Sequence, residues 1–270
     1  MSVVGMDSVE RFGGDLSGLA MVLRQEASSA EGRAVGQACL MLDIPSTRCD
    51  IEGLAAHSEG LRSGGVLPVG SVEFVREAFS AAGMKEPDPM SYPDALGWFL
   101  RRAVRVTTAG GVKPGEFVKP VRTKLFTGFV MPAEDQAACL SEHDGEQLLG
   151  LRRCDPDEPV YAAAKVGWQS EWRIYVSSGR EIGRARYDQD GSDDAPEPNA
   201  AEVERALLDM VQEAGNEGAY SLDLGVMDDG RTALVEVNDA FALGLYGKAL
   251  VPAAYLGMLW KRWRQIASGA

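Results

Sequence analysis

Short stretches of alternating apolar and polar residues dominate the second half of this chain and predict a series of β-strands. The expected strands cover residues 116–120, 160–166, 171–176, 182–187, 221–227 and 232–237. Helical spacing of apolar residues predicts helices over residues 200–214 and 251–266. Because short turns join most of the strands, the pattern predicts an α+β fold and not a doubly wound parallel sheet.

The first part of the chain predicts a smaller unit. Residues 1–64 are expected to form a mostly helical or α/β segment. Their helical spacing is interrupted at Gly32 and Gly36, and they show no clear βαβ pattern. A short strand is expected over residues 66–69, and Ser71 is expected to cap a helix that starts at residue 72. Three prolines within residues 86–93 indicate a boundary. We therefore expect an N-terminal region, residues 1–85, and a main domain, residues 86–270.

Residues 221–238, SLDLGVMDDGRTALVEVN, predict a hairpin that turns at Asp229-Gly230. An Asp-Gly pair between two apolar runs is the strongest short-range hairpin signal. A two-residue turn there pairs Asp228 with Arg231. It also directs four apolar side chains to one face of the sheet: Leu222, Leu224, Val235 and Val237.

The same register brings three oxygen-bearing side chains to the opposite face. Asp223 falls opposite Glu236, and Asn238 joins them because side chains alternate along a strand. Two carboxylates and an amide oxygen suit Mg²⁺ when phosphate and water complete its coordination. A carboxylate pair in an acidic protein is more often an ordinary solvated surface, so this hypothesis depends on the rest of the chain.

Two segments upstream offer groups for binding phosphate. Lys119 lies on the FVKP strand and could bind a phosphate as a point charge, although most such lysines are surface residues. The stretch VRTKLFTGFV, with Thr127 and Gly128, could contact phosphate through its backbone. It lacks the GxxxxGK[ST] pattern, so an ordinary strand or turn is the alternative.

A second hairpin, EWRIYVSSGREIGRARY over residues 171–187, predicts a cluster of arginines. A turn at Ser178-Gly179 places Arg173 opposite Arg184, and Glu171 opposite Arg186. Two facing arginines repel each other unless an anion lies between them. Polyphosphate fits, because its oxygens match planar guanidinium groups. The alternative is a surface network that Glu171 neutralises.

Composition excludes several classes of function. The chain has 270 residues, a formal net charge of −13 and a pI near 4.7, so it lacks the basic surface of a nonspecific nucleic-acid binder. No long apolar run predicts a membrane span, and no signal sequence is recognised, so a cytoplasmic protein is expected. The oligomeric state is left open. The cysteines form no CxxC pair and have no zinc spacing, and they are expected to be reduced and structural: Cys39, Cys49, Cys139 and Cys154.

The order of these motifs resembles a known family. FVKP, TGFV, EWRIYV, an arginine-bearing strand and LDLGV…LVEVN follow one another as in the ATP-grasp fold. The closest likeness is to the ATP-grasp clade named for two arginines and a lysine in its active site, and it covers about residues 65–265. The resemblance implies two α+β subdomains that hold a nucleotide between them, preceded by a small N-terminal segment.

The resemblance also implies ATP and Mg²⁺ as cofactors and assigns residues to them. The catalytic cations would be Lys119, Arg173 and, as the second arginine, Arg184 or Arg186. The nucleotide-binding residues would be Lys119, Thr127, Gly128, Lys165, Glu171, Arg173 and Asp223, with adenine near residues 160–166. The metal ligands would be Asp223, Glu236 and Asn238, with Asp239 close to the metal or substrate.

The implied activity is an ATP-dependent carboxylate–amine ligase that forms an amide or peptide bond through an acyl-phosphate. Its substrates would be a small-molecule or peptide carboxylate and an amine. The alternatives are a phosphotransferase with the same fold and a nucleotide-binding regulatory or interaction protein. All three require a group of cations and a group of acids that face each other across one cleft.

Overall fold

The computed structural model describes residues 14–122, 125–133, 140–188, 194–212, 215 and 218–269. The strands of these residues form three sheets, one parallel and two antiparallel. The mixture of helices with antiparallel hairpins confirms the predicted α+β class.

The N-terminal sheet is parallel and has the order β2-β1-β3, in which β1 is Met21–Gln25, β2 is Ser46–Cys49 and β3 is Val66–Val69. Its helices are α1 (Ala30–Leu42), α2 (Ser58–Arg62) and α3 (Val72–Ala82). The succession β1–α1–β2 is a parallel βαβ unit, a pattern that was not clear from the amino-acid sequence.

Two local features explain how this region folds. Ser71 caps α3 as predicted, because its hydroxyl accepts a bond from the amide of Phe74 at 3.2 Å. Gly36 does not interrupt α1; a Cβ there would lie 2.4 Å from Nη1 of Arg24, so the glycine permits close packing of α1 on β1.

The second sheet is antiparallel and has the order β4-β7-β5-β6. Its strands are β4 (Val104–Thr108), β5 (Glu116–Pro120), β6 (Phe129–Val130) and β7 (Pro159–Ala164). Helix α4 (Glu142–Arg153) covers one face, where Leu148 and Leu151 pack against Val118 and Phe129.

The third sheet is antiparallel and has the order β11-β10-β8-β9. Its strands are β8 (Trp168–Ser177), β9 (Arg180–Arg186), β10 (Ala219–Met227) and β11 (Thr232–Asp239). One face packs on α5 (Ala200–Gln212) and the 3-10 helix Asp94–Leu100. On the other face, Tyr175 shares a core with α6 (Pro252–Ser268) and the N-terminal sheet. The polar residues described below also lie on this second face.

The β10–β11 hairpin has the predicted pairing of Asp223 with Glu236, but its turn and the register next to the turn differ from the prediction. Met227 and Arg231 close a three-residue loop, so the predicted pairing of Asp228 with Arg231 was wrong. Val235 is then an extra residue in β11, because Leu224 pairs with Leu234 while Asp223 pairs with Glu236. The longer loop and the bulge cancel, which confirms the opposition of Asp223 and Glu236. Leu234 replaces Val235 in the apolar core.

The β8–β9 hairpin departs from its predicted register. The turn at Ser178-Gly179 is confirmed, and both residues have positive φ values of 55° and 69°. Ile182 is then an extra residue in β9, because Val176 pairs with Glu181 but Tyr175 pairs with Gly183. The bulge moves every later side chain of β9 to the other face.

The arginine pairing predicted for this hairpin was therefore wrong. Arg173 lies opposite Ala185, while Arg184 lies opposite Ile174 and Arg186 lies opposite Trp172. Directly opposed residues share a face, so neither β9 arginine is on the face that carries Arg173.

Gly183→Ala is expected to destabilise the fold by about 1–3 kcal/mol. A Cβ at Gly183 would lie 2.2 Å from the backbone oxygen of Ala249, which cannot rotate away as a side chain could. Gly145→Ala is the control, because nothing lies within 4 Å of its Cβ position in α4. It should stabilise the protein slightly. Chemical denaturation measures both, and equal stability of the two variants would contradict the close packing at Gly183.

Candidate active site

An ion pair between two sheets marks the candidate site. Lys119 of β5 bonds through Nζ to Oε2 of Glu236 on β11, so the second and third sheets meet there. Only 8% of Lys119 is exposed, because the rings of Tyr92 and Tyr161 lie 4.9 and 5.9 Å from its Nζ. Lys119 is thus a buried cation and not the surface lysine that the alternative interpretation required.

The pair supports the charged state of both partners. Burial acts to lower the pKa of Lys119, but the charge of Glu236 and the neighbouring tyrosines outweigh burial and raise it. Burial acts to raise the pKa of Glu236, but Lys119 and Asn238 outweigh burial and lower it. Both groups are therefore held ionised at neutral pH.

A second buried ion pair lies beside the first on the third sheet. Arg173 donates from Nε and Nη2 to the two carboxylate oxygens of Asp223, at 2.8 and 2.6 Å. Ser221 donates a third bond to Asp223 at 3.2 Å, and Asp223 is 1% exposed. Burial acts to lower the pKa of Arg173, but Asp223 outweighs burial and raises it.

Asn238 connects the two ion pairs. Its Nδ2 donates to Asp223 at 3.0 Å and to Glu236 at 3.1 Å. The structure therefore brings together the three residues predicted to bind a metal. It does not form a cationic wall opposite an acidic one, since each of the two acids is in contact with its own cation and Asn238 links the acids to each other.

The chemistry of these three side chains fits a hard cation. Two carboxylates and an amide oxygen supply oxygen ligands, and phosphate and water would supply the others. Within the part of the chain that the structure describes, no group of three or more His, Cys, Asp or Glu side chains is arranged to hold a metal by itself. A cation here would therefore depend on its ligand for part of its coordination.

The other predicted cations lie away from this network. Arg184 donates to Glu181 at 2.6 Å and to Glu197 at 3.5 Å, and Arg186 bonds Asp188. Their position on the opposite face follows from the bulge at Ile182. Of the predicted cationic group, the structure brings only Lys119 and Arg173 to the acids.

Of the other residues predicted to bind the nucleotide, Gly128 lies beside Lys119, whereas Thr127 and Lys165 are exposed. A Cβ on Gly128 would lie 3.4 Å from Cβ of Lys119, so this glycine lies directly beside the lysine. Thr127 is exposed, and its amide donates to Gln147. Lys165 is exposed in the connection from β7 to β8.

Asp239, which the resemblance places close to the metal or substrate, forms an ion pair with Arg262 in this structure. Its carboxylate accepts bonds from Nε and Nη2 of Arg262 on α6, the shortest at 2.6 Å. It also accepts a bond from the amide of Phe241 at 3.0 Å. These bonds fix the end of β11 and occupy the carboxylate.

Four tyrosines at the site were missed by sequence reasoning. Tyr92 and Tyr161 cover Lys119, and Tyr187 and Tyr246 lie 5.8 and 5.0 Å from the guanidinium of Arg173. Tyr92 belongs to the proline-containing segment that was interpreted only as a boundary. Tyr187 joins the face of Arg173 through the bulge, which no sequence pattern indicated.

Glu171 lies on the same face, because it pairs with Gly225 two residues from Asp223. Burial raises the pKa of Glu171 to about 7, with further contributions from Asp223, Asp188 and Glu236, while Tyr187 opposes the change. A carboxyl group at this position therefore exchanges its proton near neutral pH.

Glu171 is expected to make the stability of the protein depend on pH. Its pKa is higher in the folded state, so its contribution is fully present below about pH 4.5 and is lost as pH rises through about 7. Relative to wild type, Glu171→Gln should gain up to about 3 kcal/mol across this range. Thermal unfolding from pH 4.5 to 8 tests this, with exposed Glu77→Gln as the control. A constant difference between Glu171→Gln and wild type would contradict the raised pKa.

Comparison with known proteins identifies the architecture. A family model described as an ATP-grasp domain, family 2 of the clade named for two arginines and a lysine, matches residues 99–258. The matched residues contain Lys119, Arg173, Asp223, Glu236 and Asn238. The chain belongs to this ATP-grasp family. The predicted resemblance is therefore confirmed, and the second and third sheets belong to an ATP-grasp fold.

Solved structures share this fold at low sequence identity. The RimK-domain ATP-grasp protein of Sphaerobacter thermophilus is 14% identical, with a TM-score of 0.51 over 89% of this chain and 99% of its own. N5-carboxyaminoimidazole synthase of Aspergillus clavatus, in complex with ADP and 5-aminoimidazole ribonucleotide, is 12% identical. Its TM-score is 0.52, over 90% of this chain and 77% of its own. D-alanine–D-alanine ligase of Bacillus anthracis is 13% identical, with a TM-score of 0.50 over 93% of this chain and 99% of its own. None of the curated proteins matches the sequence.

The cysteines and the helices of the described residues relate to two further expectations. Cys39, Cys49 and Cys154 are free thiols, as expected, and Cys139 lies outside the described residues. None of the helices in the described ranges combines the length and apolar character that a membrane span needs.

Proposed function

We propose that this ATP-grasp protein is an ATP-dependent carboxylate–amine ligase. The observation that carries the proposal is the contact between Lys119 and Glu236, which unites a candidate phosphate-binding cation and a candidate metal-binding acid from two sheets. Membership of the ATP-grasp family supports ATP as the nucleotide. The ligases among its structural neighbours support amide formation as the reaction to test first.

In the proposed reaction, a substrate carboxylate attacks the γ-phosphorus of ATP and displaces ADP. The resulting acyl-phosphate reacts with an amine, which forms the amide and releases phosphate. Lys119 and Arg173 would bind phosphoryl oxygens and offset the charge that develops on them. The low exposure of both cations strengthens this interaction, because little water screens it.

Asp223, Glu236 and Asn238 would hold Mg²⁺, which when bound neutralises part of the phosphate charge. Glu236 bonds Lys119 in the structure, so binding of the metal nucleotide would replace this contact with one from Lys119 to phosphate. The amide of Asn238 would keep the two carboxylates in position throughout. We expect the acid and amine to be small molecules or peptides, and the protein to act in the cytoplasm.

The test is ADP release from Mg·ATP in the presence of pooled carboxylates and amines. A ligase requires both pools, and mass spectrometry should find a product equal to acid plus amine minus water. A stable phosphorylated product formed without amine would instead establish a phosphotransferase. Nucleotide binding without turnover in any pool would favour a regulatory protein and contradict the proposal.

A further inference from the structure

One loop after β11 lies directly against Arg173. We name residues 243–246 the Gly244 loop. The backbone oxygen of Gly244 accepts bonds from the hydroxyl of Tyr175 at 2.9 Å and from Nη1 of Arg173 at 3.4 Å. The amide of Tyr246 donates to the same tyrosine hydroxyl at 2.9 Å. The loop therefore places the ring of Tyr246 5.0 Å from the guanidinium of Arg173.

The other side of the same peptide group is held by the N-terminal region. The amide of Leu245 donates to Oε1 of Glu31 at 2.9 Å, and Glu31 lies in the first turn of α1. The carbonyl of Gly244 and the amide of Leu245 belong to one planar peptide unit. Fixing the N–H direction through Glu31 therefore also fixes the direction of the carbonyl toward Arg173.

We propose that Glu31 is a positioning residue for the candidate active site. Through the Gly244–Leu245 peptide it holds the carbonyl on Arg173 and the ring of Tyr246 over the guanidinium. The N-terminal region thus helps to set the orientation of Arg173. The inference rests on the proposed function, in which Arg173 binds the transferred phosphoryl group.

The competing explanation is purely local. An acid in the first turn of a helix stabilises that helix through its charge near the N-terminus. The two roles differ in what they require, because positioning needs a hydrogen-bond acceptor that reaches Leu245, whereas helix stabilisation needs the negative charge. Glu31→Gln keeps the acceptor and removes the charge, and Glu31→Ala removes both.

The first measurement is hydrogen exchange of the amides in the Gly244 loop. Glu31→Ala should speed exchange there about five- to tenfold, the loss expected for one hydrogen bond. Glu31→Gln and the exposed control Glu77→Ala should stay within about twofold of wild type. Glu31→Ser, whose hydroxyl is shorter than the glutamate side chain, repeats the deletion if the alanine variant fails to fold.

The second measurement compares two nucleotide probes with Mg²⁺ by calorimetry. AMP-PNP represents the bound substrate, and ADP with aluminium fluoride represents the phosphoryl group in transfer. Glu31→Ala should weaken the aluminium fluoride complex about five- to tenfold while AMP-PNP stays within about twofold. Glu31→Gln should bind both probes with wild-type affinity.

Three results would overturn the proposal while leaving the proposed function intact. The first is unchanged exchange in the alanine and serine variants, and the second is equal loss of affinity for the two probes. The third is a glutamine variant as impaired as alanine, which would assign Glu31 to helix stability. A wild-type protein that binds neither probe would refute the proposed function and this role together, while loop exchange would still report whether Glu31 orders the loop.

Discussion

Replacing Asp223 with alanine is expected to lower the free energy of unfolding by about 3–5 kcal/mol. Asp223 is 1% exposed and accepts both bonds of the bidentate pair with Arg173. Its removal leaves a guanidinium buried without a charged partner, and the desolvation cost of that charge is no longer offset. Urea denaturation monitored by tryptophan fluorescence measures the change.

The same β10–β11 hairpin contains a matched control. Asp229 pairs with Arg231 at 2.7 Å at the exposed end of the hairpin, so Asp229→Ala removes the same chemical group where water solvates it. This variant should keep wild-type stability. Equal stability of the Asp223 and Asp229 variants would contradict the buried ion pair.

Glu236→Gln is expected to reduce Mg²⁺-dependent ADP release by at least about 100-fold. Loss of one electrostatic contact that stabilises the transition state typically lowers the rate by about this factor. The glutamine retains a hydrogen-bond acceptor for Lys119, so the fold should be preserved. It lacks the negative charge that a hard cation requires. The assay is ADP release under the conditions that give wild-type turnover, with circular dichroism as the test of folding.

The control for this variant is Glu197→Gln. Glu197 is the exposed partner of Arg184 at 3.5 Å, in the arginine group that the sequence had placed in the site. It should leave ADP release unchanged. Normal turnover by Glu236→Gln would refute the metal assignment, and loss of turnover by Glu197→Gln would return the β9 arginines to the site.

The acidic part of the site could be predicted because its residues lie on one hairpin. Alternation and turn chemistry brought Asp223, Glu236 and Asn238 to one face, and the structure agrees. The agreement depends on two compensating irregularities, a three-residue loop and a bulge at Val235. Neither is encoded by hydrophobic periodicity, so the pairing was correct although the local path was not.

The predicted pairing of the arginines was wrong because the β8–β9 hairpin contains a bulge without a compensating change in its turn. One uncompensated extra residue, Ile182, shifted β9 by one position and removed Arg184 and Arg186 from the face of Arg173. Gly183 explains why the strand takes this path, because only a residue without Cβ can lie so close to the carbonyl of Ala249. This constraint comes from a contact distant in sequence, and a local pattern cannot reveal it.

The N-terminal βαβ unit was missed because β1 is short and lies within a run of apolar residues. Over so few residues, the apolar sequence around Val22 and Leu23 fits a strand or part of a helix equally well. The strand exists because both neighbours, β2 and β3, pair with it in parallel. Its identity therefore depends on tertiary context.

The candidate site is not a cleft with two oppositely charged walls. In the structure, Lys119 and Arg173 are already paired with Glu236 and Asp223, and tyrosines cover both cations. The charges of these four side chains are thus balanced by contacts within the protein. Binding of a metal nucleotide would exchange these internal contacts for contacts with phosphate and metal.

The most direct test of the nucleotide site is calorimetry of Mg²⁺·AMP-PNP binding to wild type, Lys119→Ala and Arg184→Ala. Wild type should bind one nucleotide per chain. Lys119→Ala should bind at least about tenfold more weakly, the loss expected for a charge-assisted hydrogen bond, and Arg184→Ala should bind as wild type does. Unchanged affinity in Lys119→Ala together with a loss in Arg184→Ala would place the nucleotide elsewhere and contradict the account.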